Sequence, residues 1–307
     1  MKKKTSLSVI MILLAASGWG LIGVFSRPLS AAGLSSVQMT FIRSIIVTIG
    51  MGLLLLIKDR TLFLIKLKDF WLFLGTGIIS IVFFNVCYFS AIGMTTLATA
   101  SILLYTAPCF VMLMSAVFFK EKVTVQKLAA LVLAFLGCML VSGFAGGEIS
   151  PIALLIGIGS GLGYASYSIF GKVALQKYHT FTVIFYTFLV SSVCLLPFAG
   201  LTGVITAFST DIQTVLLALG LGIISTFMPY ICYTAGLQHV EAGKASVLAF
   251  AEPMVATIAG ILLFHEQLHL KNAVGIGLIF GAIILLNIPL YGKAVRKKYE
   301  NYPQGSS

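Results

Sequence analysis

The chain has 307 residues, 59% of them hydrophobic and 9% charged, with a mean hydropathy of +1.06. A soluble domain carries roughly 25% charged residues, and so apolar a chain cannot cover a water-facing exterior with polar side chains, which excludes an ordinary soluble fold and makes lipid the expected solvent. The net charge of +11 does not mark a nucleic-acid binder, because the basic residues sit in short connectors and at both ends, with no aromatic-interleaved basic stripe.

A membrane span needs about 20 mostly apolar residues. Ten stretches qualify in chain order: 7–26, 36–57, 70–92, 97–119, 125–143, 151–172, 180–200, 212–236, 244–264 and 272–291. The first follows Lys2-Lys3-Lys4, and Ala15-Ala16-Ser17 has the look of a signal cleavage site. Its apolar run continues through Val24 and Phe25, longer than a signal core, so it is expected to be a retained helix. Ser26-Arg27-Pro28, Gly146-Gly147 and Ser150-Pro151 are expected to mark helix ends. Cys87, Cys109, Cys138, Cys194 and Cys232 all lie in apolar runs and read as small packing residues.

Lysines and arginines give an orientation. With the N-terminus inside, seventeen of the twenty face the cytoplasm, Arg27 and Lys271 fall outside, and Arg43 lies within a span. That skew follows the positive-inside rule and places both termini in the cytoplasm of a multi-pass protein of the plasma (inner) membrane; a bacterial source is expected.

Shifted by 145 residues, the chain aligns with itself without a gap. Trp19 meets Tyr164, Arg27 meets Lys172, Cys87-Tyr88 meets Cys232-Tyr233, and Ala100-Ser101 meets Ala245-Ser246. Pro108 meets Pro253, while Phe119 and Glu121 meet Phe264 and Glu266. Residues 1–145 and 146–292 are therefore expected to be two repeats, followed by a basic and then polar tail at 293–307, expected to be disordered. Each repeat holds five spans, an odd number, so the second enters the membrane inverted. The fold expected is an all-α integral membrane protein, ten transmembrane helices in two inverted five-helix repeats around a central cavity. Inverted repeats with a midplane site are the architecture of many secondary transporters.

Leu104-Tyr105-Thr106-Ala107-Pro108 with Glu121 and Gly137, and again Phe250-Ala251-Glu252-Pro253 with Glu266, Gly275 and Gly281, resemble the EamA domain of the drug/metabolite transporter superfamily. Gly18-Trp19-Gly20 and Arg43 are similar to that pattern too, and the resemblance covers essentially the whole chain. It implies a ten-helix permease that exports small organic metabolites, often amino acids or related compounds.

Two intramembrane charges stand out. Arg43 lies about seven residues into its span, ~10 Å below the outer boundary, where a charge costs ~2.5–3.5 kcal/mol at the bilayer centre. It either snorkels to the surface or faces the cavity to meet a substrate carboxylate or an internal acid. Glu252 lies about eight residues beyond Lys244, beside the helix-bending Pro253. It either hydrogen-bonds backbone freed by the proline or takes part in binding or coupling. The two are about 8 Å apart in depth in a core of ~30 Å, and the expectation is that they meet or share a network. Asn85 and Tyr88, on one helical face with Ile92, join Trp19, Tyr105, Tyr230 and Tyr233 as candidate cavity residues, with Ser101 and Tyr164 beside them. Ordinary helix packing or an interfacial aromatic belt is the plain alternative for each aromatic.

Glu121 and Glu266 are expected to anchor helix ends or to pair with Lys122 or Lys271. Gly157 with Gly161, Gly159 with Gly163, and Gly277 with Gly281 are expected to let helices approach. His265-Glu266-Gln267-Leu268-His269 matches a zinc-protease pattern, but its repeat mate Lys120-Glu121-Lys122-Val123-Thr124 keeps only the glutamate, so no metal is assigned to it. No glycine-rich phosphate loop is present and no cofactor is expected. The partners expected are a small-molecule substrate, the lipid bilayer and a coupling ion such as a proton, with no nucleic acid. An intramembrane enzyme is the first rival, lacking a reactive constellation; a sensor or assembly subunit is the second, lacking room for an output domain. Substrate, direction and coupling ion are open at this point.

Overall fold

The computed structural model describes residues 2–143 and 149–288. The expected break at Gly146-Gly147 and the tail at 293–307 lie outside them. Among the described residues ten helices are long and apolar enough to cross a membrane. They are α1 (Thr5–Ala31), α2 (Ser36–Lys58), α3 (Leu67–Met94), α4 (Leu97–Phe119) and α5 (Val125–Ser142), then α6 (Pro151–Ala174), α7 (Thr180–Phe198), α8 (Ile212–Leu237), α9 (Ala242–Phe264) and α10 (Leu270–Asn287). Hydrocarbon offers no partner to backbone N–H and C=O groups, so each span closes its own ladder. The described residues contain no strand.

Local signals start the helices. Ser35 accepts from the Gln38 N–H while Gln38 reaches back to the Ser35 N–H, a capping box at α2. Thr124 and Ser150 cap α5 and α6 in the same N3 sense, and Pro151 takes the first position of α6. The break expected at Ser26-Arg27-Pro28 is absent. The helix is instead interrupted at Leu21, between Lys2–Gly20 and Ile22–Ala31, and runs through Pro28 to Ala31. Pro28 costs only one ladder bond, and the helix ends within one turn of it.

The two halves share irregularities as well as spans. The third helix of each carries a π segment, Gly75–Phe83 in α3 and Ile223–Phe227 in α8. The hydroxyls of Ser80 and Thr226 donate to the carbonyls of Thr76 and Leu221 there, satisfying backbone that the wide turn leaves open. The fourth helix of each is broken in mid-membrane, between Leu104 and Ala107 in α4 and between Leu248 and Ala251 in α9. Non-helical backbone at that depth is tolerated where it lines a cavity or is buried in protein. The fold is thus two inverted five-helix repeats.

Residues 36–58, 67–119 and 151–264 surround the centre with α1, while α5 and α10 pack chiefly on each other. Close approach depends on missing side chains. A Cβ on Gly137 would lie 2.7 Å from the Gly275 carbonyl, and one on Gly20 2.7 Å from that of Glu252. On α6, Gly157, Gly161 and Gly163 seat the helix against Leu103, Thr106 and Phe84. Gly277 and Gly281 do not serve this purpose: nothing lies within 4 Å of a Cβ at Gly277, and Gly281 makes ordinary contact. Gly277 sits off the stripe that faces α5, which Gly275 and Ile279 occupy, whereas Gly281 meets Leu133 of α5 at an ordinary 3.7 Å.

Candidate functional site

The spans alternate in direction, so the start of α1, the end of α4, the end of α6 and the start of α9 share one face, called here the N-terminal face. A cavity of about 440 Å³ lies between the halves. It reaches the opposite face through Arg27, Ser30, Ser36 and Leu97, and Leu97 is 57% exposed. Its inner end is walled by Trp19, Tyr105, Tyr164, Tyr230 and Glu252. Behind that wall Tyr233, Tyr167 and Phe250 are buried.

Arg43 turns toward this cavity rather than to the surface. Its Nη2 donates to Asn85 Oδ1 at 3.3 Å, and its Nε is buried with no hydrogen-bond partner among the described residues. Asn85, at the end of the α3 π segment, donates to the Ile81 carbonyl at 2.6 Å and also accepts from Thr40 at 3.4 Å. Its amide therefore holds the Nη2 side of the guanidinium of a residue that lines the cavity.

Glu252 opens the second half of α9, one residue before Pro253. Its Oε2 accepts from the Tyr164 hydroxyl at 3.2 Å. Arg43 and Glu252 line the same cavity but form no ion pair with each other. Of the two arrangements expected, a direct meeting is not formed; the two residues face one cavity, with Asn85 and Tyr164 as their hydrogen-bond partners.

Most of the aromatic candidates gather around the cavity. Trp19 packs on Tyr164, Tyr230 and Tyr233, with ring centroids 6.2, 5.4 and 5.1 Å away. Tyr88 shares a hydrogen bond of 3.0 Å with Ser101 on the cavity wall, and Tyr105 stacks toward Phe250. Tyr233 is the exception. It does not line the cavity but sits behind it, its hydroxyl 2.7 Å from that of Ser168. Phe84, Phe89 and Thr40 also line the wall, and the sequence reading passed over them. Thr40 lies three residues before Arg43, on the same helical face, which is the one signal that could have found it.

The expected pairings of Glu121 with Lys122 and Glu266 with Lys271 are not formed. Glu121 pairs with Lys172 at 2.9 Å and Glu266 with Arg27 at 2.6 Å. A neighbour in sequence points away at a helix end, whereas these cations arrive from the other half. Residues 265–269 are not helical, so His265 and His269 are not set on one face by an i, i+4 turn. Among the described residues no group of three or more metal-ligating side chains gathers.

The EamA-like transporter family model matches residues 6–143 and 151–288, one copy in each half. The chain is 30% identical to an uncharacterized transporter of Archaeoglobus fulgidus, over 90% of this chain and 97% of that protein. It is 24% identical to the uncharacterized inner membrane transporter YicL of Salmonella typhimurium, covering 92% and 96%, and 26% identical to the uncharacterized transporter YxxF of Bacillus subtilis, covering 95% and 93%. A crystal structure aligns over 96% of this chain and 99% of its own with a TM-score of 0.77. Its 17% identity makes this a likeness of fold.

Proposed function

Since the chain belongs to the EamA-like transporter family, we propose that it is a secondary carrier exporting a small organic metabolite, such as an amino acid or a related compound, by alternating access. The observation that carries this reading is the cavity itself. It lies between inverted halves, sets Arg43 and Glu252 on a shared wall with Arg27 at its mouth, and reaches a single face. Arg43, with one edge held by Asn85 and a buried Nε free, binds an anionic group of the cargo. Glu252, turned into the same space and held by Tyr164, takes a cationic group or the coupling proton. Trp19, Tyr88, Tyr105 and Tyr230 enclose the organic body, with Tyr233 supporting Trp19 from behind.

Residues 1–145 and 146–292 act as the two repeats. Lysine and arginine placement supports a plasma-membrane orientation with both termini, and hence the N-terminal face, in the cytoplasm. The cavity then opens outward in the present form.

Uptake into inverted membrane vesicles of a panel of labelled amino acids and related metabolites supplied outside them tests the proposal. Saturable accumulation of at least one compound is expected, and its absence across the panel would count against a carrier of this class. Arg43→Gln and Glu252→Gln should each lower transport about tenfold or more, since a hydrogen bond to a charged group contributes ~1.5–3 kcal/mol. Two fully active variants would remove both residues from the mechanism.

A further inference from the structure

The broken helix of each half ends in the same device. α4 ends at Phe119, Lys120 follows in the left-handed conformation at φ 56°, and the Glu121 N–H donates to the Ser115 carbonyl at 3.3 Å. α9 ends at Phe264, His265 follows at φ 55°, and the Glu266 N–H donates to the Gly260 carbonyl at 3.3 Å. Each glutamate holds a cation from the first helix of the other half. Lys172 of α6 pairs with Glu121 and stands 5.7 Å from the Phe119 ring. Arg27 of α1 pairs with Glu266 and stands 4.7 Å from the Phe264 ring. All of these residues correspond under the offset of 145, and inversion puts the two devices on opposite faces.

Their surroundings differ. Glu121 is 7% exposed and also accepts from the N–H groups of Ala242 and Gly243, at 2.8 and 3.1 Å, at the start of α9. Lys172 donates in addition to the Val240 carbonyl at 3.0 Å. The N-terminal face is thereby sewn shut between the halves. Glu266 is 46% exposed and, among the described residues, accepts from Arg27 alone. The residues corresponding to Ala242 and Gly243 are Leu97 and Ala98, the first two of α4, and their N–H groups find no acceptor among the described residues. Leu97 stands at the open mouth of the cavity.

We propose that Glu121 and Glu266 are positioning residues that close the carrier alternately, each by capping the broken helix of the other half. In the present form Glu121 caps α9 and the N-terminal face is closed. In the alternate form Glu266 takes the N–H groups of Leu97 and Ala98, Glu121 releases those of Ala242 and Gly243, and both ion pairs persist. One device is engaged while its twin is idle, as a two-state carrier built from inverted halves requires. The assignment rests on the alternating-access reading above.

Ser101 and its repeat mate Ser246 give the readout. Ser101 lines the open cavity, whereas Ser246 is 4% exposed behind the closed face. On the full chain with its five native cysteines replaced by alanine, Ser101→Cys or Ser246→Cys is labelled by a membrane-impermeant maleimide in right-side-out and inverted vesicles. Glu121→Gln should speed labelling of Ser246→Cys from the N-terminal face at least about fivefold and slow that of Ser101→Cys from the opposite face. Glu266→Gln should act in the reverse sense, slowing labelling of Ser246→Cys by a similar factor and leaving Ser101→Cys reactive. Should Glu121→Gln fail to reach the membrane, Glu266→Gln, which alters a half-exposed side chain, carries the test. Rates unchanged in both variants, or raised at both serines as loosening alone would do, overturn the clasp and leave the carrier intact. A Ser246→Cys that reacts from neither side in any variant overturns alternating access itself, and the clasp with it.

Discussion

Arg43 and Glu252 could be picked out of the sequence because hydrocarbon makes an intramembrane charge conspicuous, whatever surrounds it. Their depth could be counted from the span ends as well. Their partners could not, since the lateral position of a side chain depends on how helices rotate against each other. Asn85 and Tyr164 take the hydrogen bonds of the two charges, which depth alone does not identify. Asn85→Leu removes the acceptor that holds the guanidinium and leaves a buried cation less satisfied. The expected cost of ~1–3 kcal/mol should appear as an approximately tenfold rise in the half-saturating substrate concentration, measured by vesicle uptake. Glu121 makes a different case at the water boundary. Burial pushes its carboxyl up, but Lys172 and the Ala242 and Gly243 N–H groups outweigh that and hold it below the ordinary glutamate value. A depressed value means that the clasp is fully present above the unfolded pKa of about 4.3 and is lost only as pH falls through the lower folded one. Maleimide reacts with the thiolate, so the rate of Ser246→Cys labelling from the N-terminal face is read as a ratio to that of the same cysteine in Glu121→Gln. That ratio should be flat between about pH 6 and pH 8, and a step within that window would contradict the assignment.

At the level of the helix, the ten spans were legible because length and hydropathy are local properties. Breakers were less so. Pro28 reads as a stop, yet the helix passes through it, because one missing N–H near a helix end costs little, and the interruption sits at Leu21. The breaks in α4 and α9 were only half visible. Pro108 and Pro253 announced a bend, but the unwound turns before them follow from the cavity alongside. The π segments of α3 and α8 left no mark in composition. Small residues were legible as a class and not as contacts: Gly275 meets α5 and Gly277 does not. Gly137→Val tests that seam. Its added methyls meet the Gly275 carbonyl and Ile279, so the protein in detergent should lose ~1–3 kcal/mol, seen as earlier thermal aggregation. The half-saturating substrate concentration should not move, since neither α5 nor α10 lines the cavity.

Across the whole molecule, the repeat was readable as a constant offset, and inversion followed from an odd number of spans. What the offset did not reveal is that corresponding residues occupy unlike surroundings. The Arg27–Glu266 pair, about half exposed on both sides, contributes ~0–1 kcal/mol. Removing one member of the more buried Lys172–Glu121 pair costs up to ~3–5 kcal/mol. Orientation is testable at the same scale. Reporters fused to Met1 and to Ser307 should both be active on the cytoplasmic side, and opposite sidedness would contradict an even number of crossings.

The seam between α5 and α10 has a consequence of its own. These two helices correspond under the repeat, touch through bare backbone at Gly137 and Gly275, and stand apart from the cavity. A contact between corresponding elements is carried onto itself when the halves trade shapes, so it needs no remaking during the cycle. In the proposed cycle it would serve as the spine of a book whose covers swing while the binding stays still.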